Sequence, residues 1–379
     1  MDDCFYIAFM LLFVVAATIQ LIYVIFFSWK EPAIKKVKDF LPASIIICAR
    51  NEAENLNRFL PSVLEQDYPP GKFEVIVVND QSTDDSMTIL EKFAAEYAQL
   101  RIVNIPVETI KDLPGKKYAL QQGIRAARYD RVLLTDADCK PASDQWLKTM
   151  AGTPADIVLG YGAYEMSGGI LNTFIRWETA HTCMQYASYA RRGMTYMGVG
   201  RNLSYRKALS EDLENDAAFQ EIYRNTPSGD DDLLVGKMAR KDNVAFCLDP
   251  AAHTISLPQI TWLAWWKQKT RHLSTGKYYP PKIKSLLGLY ALSHSLYWLP
   301  GLFLLIGIIA HCQLPIAHFW ILVLFFLRLA LYWINAALWY RRLREKKLLL
   351  FYPLGDLGWA LYNVFLSPYI FWKNRQAWK

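Results

Sequence analysis

The stretch DRVLLTDADCKP sets Asp136 and Asp138 one residue apart, at the end of an apolar, strand-like run. In an extended segment residues i and i+2 share a face, so both carboxylates point the same way. Two such charges raise each other's pKa unless something positive lies between them. A hard divalent ion, Mg2+ or Mn2+, held by the pair keeps open positions for phosphate oxygens, which suits a ligand carrying a diphosphate. The alternative is a plain polar loop after a buried strand.

Other candidates have the same flavour. Glu52 follows the apolar SIIIC, and Asp80 closes FEVIVVND. Acidic groups at strand ends suit a nucleoside base and ribose. Lys116 and Lys117, just past Gly115, are placed to reach phosphates or simply to open a solvated basic helix. Asp230, Asp231 and Asp232 open a helix in SGDDDLL, where acids also serve as caps and dipole partners. In WLAWWKQKTRH, Gln268, Arg271 and His272 fall at helical spacing beside Trp265 and Trp266. Tryptophans before a membrane helix usually anchor at the interface, whereas a guanidinium fork binds phosphate bidentately.

These residues need a scaffold, and the pattern from Pro42 to about Tyr279 supplies one. Short apolar runs at Ser44–Cys48, Phe73–Asp80, RIVNI and DRVLLTD alternate with helical stretches, including one that Asp84 caps and that runs through LEKFAAEYA. Strand alternating with helix predicts an α/β domain on a parallel sheet with right-handed crossovers. Ligands of such sheets bind beyond the carboxyl ends of the strands, where Glu52, Asp80, Asp136 and Asp138 all fall.

The chain of 379 residues is too long for this domain alone, and its 53% hydrophobic content is unevenly spread. Phe5–Phe27 holds no charge and is long enough to cross a bilayer, which takes roughly 20 residues. Residues 1–29 therefore read as an uncleaved transmembrane anchor, because the front end is acidic and no cleavage site follows. A basic juxtamembrane linker (30–41) comes next, then the α/β domain (42–279) and a C-terminal membrane region (285–379) with two or three helices. Leu286–Ala310 and Ala317–Tyr340 form the expected hairpin; the third segment, Leu348–Trp372, is read as either a full span or a re-entrant helix. Basic residues after Phe27 and around Arg341 put the domain in the cytoplasm, at a bacterial inner (plasma) membrane. Six scattered cysteines show neither a zinc pattern nor a disulfide framework. A net charge of +7 without a basic stripe gives no sign of nucleic-acid binding. Leu171–Gly193 is expected to be either a membrane-facing amphipathic helix or an ordinary domain helix.

Taken in order, ARNEAEN, VVNDQSTDDS, GKKYAL, TDADCKP, GVGRNLSYRK, SGDDDLL and QKTRH resemble the motif set of a membrane-bound family 2 glycosyltransferase with a GT-A fold. The resemblance implies inverting transfer of a sugar from a nucleotide-diphosphate donor to a lipid-linked or membrane-associated acceptor, in cell-envelope glycan or glycolipid synthesis. It implies that Glu52 and Asp80 contact the base and ribose, and that Asp136 and Asp138 hold the metal and diphosphate. Lys116 and Arg271 would face the departing phosphates. Asp231 matches the catalytic base, with Asp232 as the fallback and Asp230 standing where the family has glutamate. Gln268 and Arg271 match Q-x-x-R-W, but His272 replaces the tryptophan, which argues for non-processive transfer. Transfer to polyprenyl phosphate, or a membrane-bound nucleotidyltransferase that also uses paired aspartates, are the alternatives.

Overall fold

The structure is a computed structural model that describes residues 3–28, 40–226, 228–311 and 316–366. Most of the expected basic linker and the chain after 366 lie outside the described residues.

Strands β1 (Ala43–Ala49), β2 (Phe73–Asp80), β3 (Leu100–Ile105) and β4 (Arg131–Asp136) are joined by helices α2 (Ala53–Leu64), α3 (Ser86–Glu96) and α4 (Lys117–Ala126). Helix α1 (Asp3–Phe27) precedes them. β1 and β2 are buried along their whole length, as strands covered on both faces must be, and so they read as continuous apolar runs. Alternation divides their side chains between two cores. Ile45 and Ile47 meet Leu56 and Leu60 of α2, while Ile46 meets Leu120 and Ile124 of α4.

Beyond β4 the elements shorten: β5 (Cys139–Pro141), α5 (Trp146–Ala151), β6 (Ile157–Leu159) and β7 (Gly162–Tyr164). Then follow α6 (Gly169–Ala190), β8 (Leu203–Arg206), α7 (Lys207–Glu214), α8 (Ala217–Asn225) and α9 (Asp232–Met238). β9 (Val244–Phe246), β10 (Thr254–Ser256) and α10 (Trp262–Leu273) complete the domain. The main sheet has the order β3-β2-β1-β4-β8-β6-β9, and β5-β10-β7 form a small second sheet. The expected parallel pairing holds for β1 to β4 and again between β6 and β9; among the described strands of this sheet β8 is the exception, antiparallel to both β4 and β6. The chain enters β8 from Gly200 and Arg201, on the side of the sheet where β4 ends. No crossover returns it to the start of β4, so it must run back the other way.

Among the described residues, three helices are long and apolar enough to cross a membrane: Phe5–Phe27 within α1, Pro281–Ile309 within α11 (Pro281–His311) and His318–Arg342 within α12 (Ile316–Arg342). The third C-terminal segment is helical as α13 (Tyr352–Leu366), whose 15 residues extend about 22 Å; the rest of the expected segment, to Trp372, lies outside the described residues.

Helix α6 is not the amphipathic helix of the first expectation, because it is buried around most of its circumference. On one side Tyr186 donates to the Gly160 carbonyl at 3.0 Å. On the other, Trp177 packs on Trp359 of α13, and so closely on Gly355 that a Cβ there would lie 2.4 Å from the indole. Arg176 pairs with Glu345 just after α12. Arg191 and Arg192 donate to the Ser28 and Ile25 carbonyls at the end of α1, at 3.1 and 3.3 Å. The helix is thus a strut between the α/β domain and the membrane helices. Sequence periodicity could not reveal this, because the covering residues lie far along the chain.

Candidate active site

The β1–β4 register places Cys48 opposite Asp136, so the two strands end level and their following turns open into one space. Those turns are constrained. Asn51 (φ 55°) after β1 and Gln81 (φ 58°) after β2 both take the left-handed conformation, which costs a residue with a Cβ and clusters at functional sites. Asn51 Oδ1 accepts from the Thr83 amide at 2.8 Å, and Gln81 donates to the carbonyls of Pro106, Val107 and Thr109. The N-cap of α3 is Asp85 rather than the expected Asp84. Asp84 instead accepts from Ser86 N at 3.0 Å and Ala53 N at 3.1 Å, pinning the starts of α3 and α2 together.

A cavity of about 310 Å³ opens beyond the strand ends. Glu52 and Lys116 stand on its wall, with Asp136 and Asp138 beside them. Asp230, Asp231 and Asp232 enter from the start of α9, and Gln268, Arg271 and His272 from α10. Asp80, expected at the base and ribose, is not among them. It ends β2 fully buried, with Lys111 Nζ 2.5 Å from its carboxylate, and it is not part of the cavity wall. Lys117 also turns away from the phosphates expected of it. Its ammonium donates to the Tyr223 and Thr226 carbonyls at 2.7 and 2.6 Å and lies over the Tyr223 ring, steadying the chain that leads to Asp230.

Charge is unevenly distributed in the cavity. Burial alone would raise Asp136, but the Lys116 ammonium bonded to it holds its carboxyl below the usual range. Asp138 has no such partner; burial and the Asp136 charge push it up to about 6. The Asp136 and Asp138 carboxylates and the Cys139 thiol bring one ligand atom each within 4.8 Å of one another. Burial pushes that thiol well above its ordinary value and Ser256 Oγ lies 2.8 Å away, so it stays protonated and unsuited to a hard cation. The two carboxylates, with phosphate oxygens and water for the rest, fit Mg2+ or Mn2+.

The three consecutive aspartates have separate fates. Asp231 is the N-cap of α9, and its two oxygens accept from Asp232 N and Gly200 N, both at 2.8 Å. Gly200 permits that approach, since a Cβ there would sit 3.2 Å from the carboxylate. Burial and neighbouring Asp230 push Asp231 up to about 6, within reach of proton transfer near neutral pH. Asp232 is buried more deeply and spends one oxygen on Thr275 Oγ1 at 3.1 Å and Tyr279 OH at 3.0 Å. Asp230 lies 3.9 Å from Lys116, which thereby links it to Asp136.

On α10, capped by Thr261 Oγ1 accepting from Ala264 N at 3.2 Å, the expected helical spacing is present. Gln268 Nε2 sits 3.5 Å from Tyr164 OH. Trp265 is core rather than an interfacial anchor, packed against Phe174 and Tyr362, and Trp262 is the exposed indole at 49%. Sequence reasoning missed three cavity residues. Arg201 donates to the Gly162 carbonyl at 2.6 Å beneath Tyr164, and its only sequence signal was its place in GVGRN. Glu178 and Lys269 pair at 2.5 Å across α6 and α10; their signals were their places in the Leu171–Gly193 stretch and in QKTRH, and nothing in the sequence paired them.

Residues 44–179 match the family described as Glycosyl transferase family 2. Among curated relatives, the probable glycosyltransferase YdaM of Bacillus subtilis is 26% identical over 262 residues, 66% of this chain and 58% of the relative. The glycosyltransferase AglE of Haloferax volcanii is 36% identical over 122 residues, 31% of this chain and 38% of the relative. A beta-monoglucosyldiacylglycerol synthase of Nostoc is 31% identical over 114 residues, 30% of this chain and 24% of the relative. The chain thus spans less than two thirds of the length of each. In solved structures, the mannosyltransferase PcManGT from Pyrobaculum calidifontis, in complex with GDP-Man and Mn2+, superposes with a TM-score of 0.56 at 18% identity, covering 95% of this chain and 98% of that one. That likeness shows the fold.

Proposed function

We propose that this chain, which carries a glycosyltransferase family 2 domain on a GT-A-like fold, moves a sugar from a nucleotide-diphosphate donor to a membrane-associated acceptor. One observation carries the reading: a metal-suited carboxylate pair and a base-suited carboxylate, Asp231, share one cavity beyond the strand ends. The glycolipid product in the name of the Nostoc relative, and the GDP-Man and Mn2+ held by PcManGT, support the substrate classes.

Asp136 and Asp138 would hold a divalent ion that neutralises the donor diphosphate and relieves their mutual repulsion. Lys116 lies against Asp136 and is placed to transfer its contact to a phosphate, with Arg271 presenting a guanidinium from α10. Glu52 is oriented by Asn55 Nδ2, 2.5 Å from its Oε2, and faces the nucleoside side. Asp80 would join it there once Lys111 gives up its ion pair. Asp231 takes the proton from the acceptor hydroxyl as the oxygen bonds to the anomeric carbon. The bond from that carbon to the phosphate oxygen breaks, and its electron pair leaves with the nucleoside diphosphate. Attack from the face opposite the leaving group inverts the anomeric configuration. The same reading makes the enzyme non-processive and places its domain on the cytoplasmic side of a bacterial inner membrane, supported by His272 in the Q-x-x-R-W register and by the basic helix flanks.

The test is incubation of the purified full-length protein with labelled GDP-mannose, UDP-glucose and UDP-N-acetylglucosamine and a membrane lipid extract. Lipid-soluble label from at least one donor is expected. Absence of nucleoside diphosphate release from every donor would refute the reading.

A further inference from the structure

The cavity has a second polar wall that the donor chemistry leaves unused. Glu178 of α6 and Lys269 of α10 meet there with side chains only 4% and 13% exposed. Around them the two helices touch through apolar groups, chiefly Ile175 and Trp265. A charged pair withdrawn from water returns less than an apolar pair of the same size unless further partners satisfy it. Thr182 Oγ1 lies 3.5 Å from Glu178 Oε1, at the limit of a hydrogen bond, which leaves capacity for a ligand. Residues 178, 182 and 186 follow at four-residue spacing, so Glu178, Thr182 and Tyr186 form one stripe that faces the cavity, with Thr179 alongside.

The stripe is also in the right place for an acceptor. The residues suited to the diphosphate come from the end of β4 and the start of α4. The stripe comes from α6, whose chain continues into Gly200, the residue that holds Asp231. The back of α6 packs on α13 and on the end of α1, next to the membrane helices.

We infer that this stripe is the acceptor subsite and that it takes a neutral polyhydroxyl group, a sugar or glycerol unit carried on a lipid, rather than a lipid phosphate. The inference rests on the transferase reading. Sugar hydroxyls both donate and accept, which matches a carboxylate acceptor, an ammonium donor and threonine hydroxyls that do both. The pair carries no net charge, because Glu178 already neutralises Lys269, so it has no cation to spare for a phosphate. A neutral hydroxyl also needs the base that Asp231 provides, whereas an ionised phosphate does not.

The test uses the purified full-length protein in detergent with a labelled nucleotide sugar and two acceptor probes, monoglucosyl-dioleoylglycerol and undecaprenyl phosphate. Label is expected on the glucosyl lipid. Glu178→Gln and Thr182→Val should each raise the KM for that lipid about tenfold, the size of one lost hydrogen bond, with the donor KM within about twofold. Thr182→Val preserves volume at a half-buried site and serves if Glu178→Gln folds poorly. Label on undecaprenyl phosphate alone, or an unmoved acceptor KM in the folded variants, would overturn the subsite. If the unaltered protein releases no nucleoside diphosphate from any donor, the transferase reading falls with it. Release with an unmoved acceptor KM sinks the subsite only.

Discussion

The cavity cluster of Lys116, Asp136, Asp138 and Asp230 and the helix cluster of Gln20, His294, Arg328 and Asp356 are both built from opposite charges removed from water. In the helix cluster each oxygen of Asp356 is engaged. Trp298 Nε1 donates to one at 2.9 Å alongside Arg328, while His294 Nε2 lies 3.2 Å from the other. Arg328 donates on to Gln20 Oε1 at 2.7 Å and is sandwiched by the Tyr297 and Tyr332 rings. Arg328 and Asp356 are wholly unexposed, and the cluster ties α1, α11, α12 and α13 together. Ionisable groups among membrane helices are functional candidates by default, yet these do not line the cavity beyond the strand ends and have each other. In the cavity cluster the acids exceed the lysine, and Asp138 faces open volume with only the more distant Arg201 to offset its charge. Burial is common to both. An unbalanced charge beside open space is what separates a reactive site from a fastener.

Chelation of divalent ions should abolish transfer while leaving thermal unfolding of the helix cluster unmoved; full turnover in excess chelator would remove the metal from the cavity account. Asp356→Ala should act in the opposite manner, since it strands a buried Arg328. A destabilisation of about 3–5 kcal/mol is expected, read as lower yield and a lower unfolding temperature, with donor affinity retained in whatever folds. An unchanged melting curve would show that the helix cluster is not a fastener.

A smaller effect comes from pH. Asp231 titrates at about 6, and as a base it acts only when ionised. The kcat/KM for the donor, which reports groups of the free enzyme, should therefore fall about tenfold per unit as pH drops below about 6. Stability runs the other way. A carboxyl raised above its ordinary value of about 4 favours the folded state when protonated, and that contribution is lost as pH rises through about 6. A flat rate profile between pH 5 and 7 would mean that Asp231 is not the titrating base.

How much of this the sequence could reveal depended on burial and chain distance. β1, β2 and β4 were legible because strands covered on both faces spell out apolar runs, and their last residues are polar by necessity. β5 to β10 were not, since elements of three or four residues carry no period. Asp136, Asp138 and Asp231 were legible because short acidic motifs at element ends are unusual. The opposite orientations of Lys116 and Lys117 were not, because successive residues at a helix start point about 100° apart and only the packing of Tyr223 decides which faces the cavity. Asp80 was legible as a strand end, but its partner Lys111 arrives from the loop after β3. The Glu178–Lys269 pair joins helices remote in sequence and left no local trace.

The measurement that bears most directly on the account is the turnover of Asp231→Asn beside its affinity for the donor. The side chain keeps its shape and can still accept from Gly200 N, giving up only the bond from Asp232 N, so the fold and the nucleotide site should survive. Asp232, committed to Thr275 and Tyr279, should be unable to substitute for it. Turnover reduced about 10²–10⁴-fold with donor affinity unchanged is the predicted result. Near-normal turnover would contradict it, and would mean that the acceptor's proton leaves by another route.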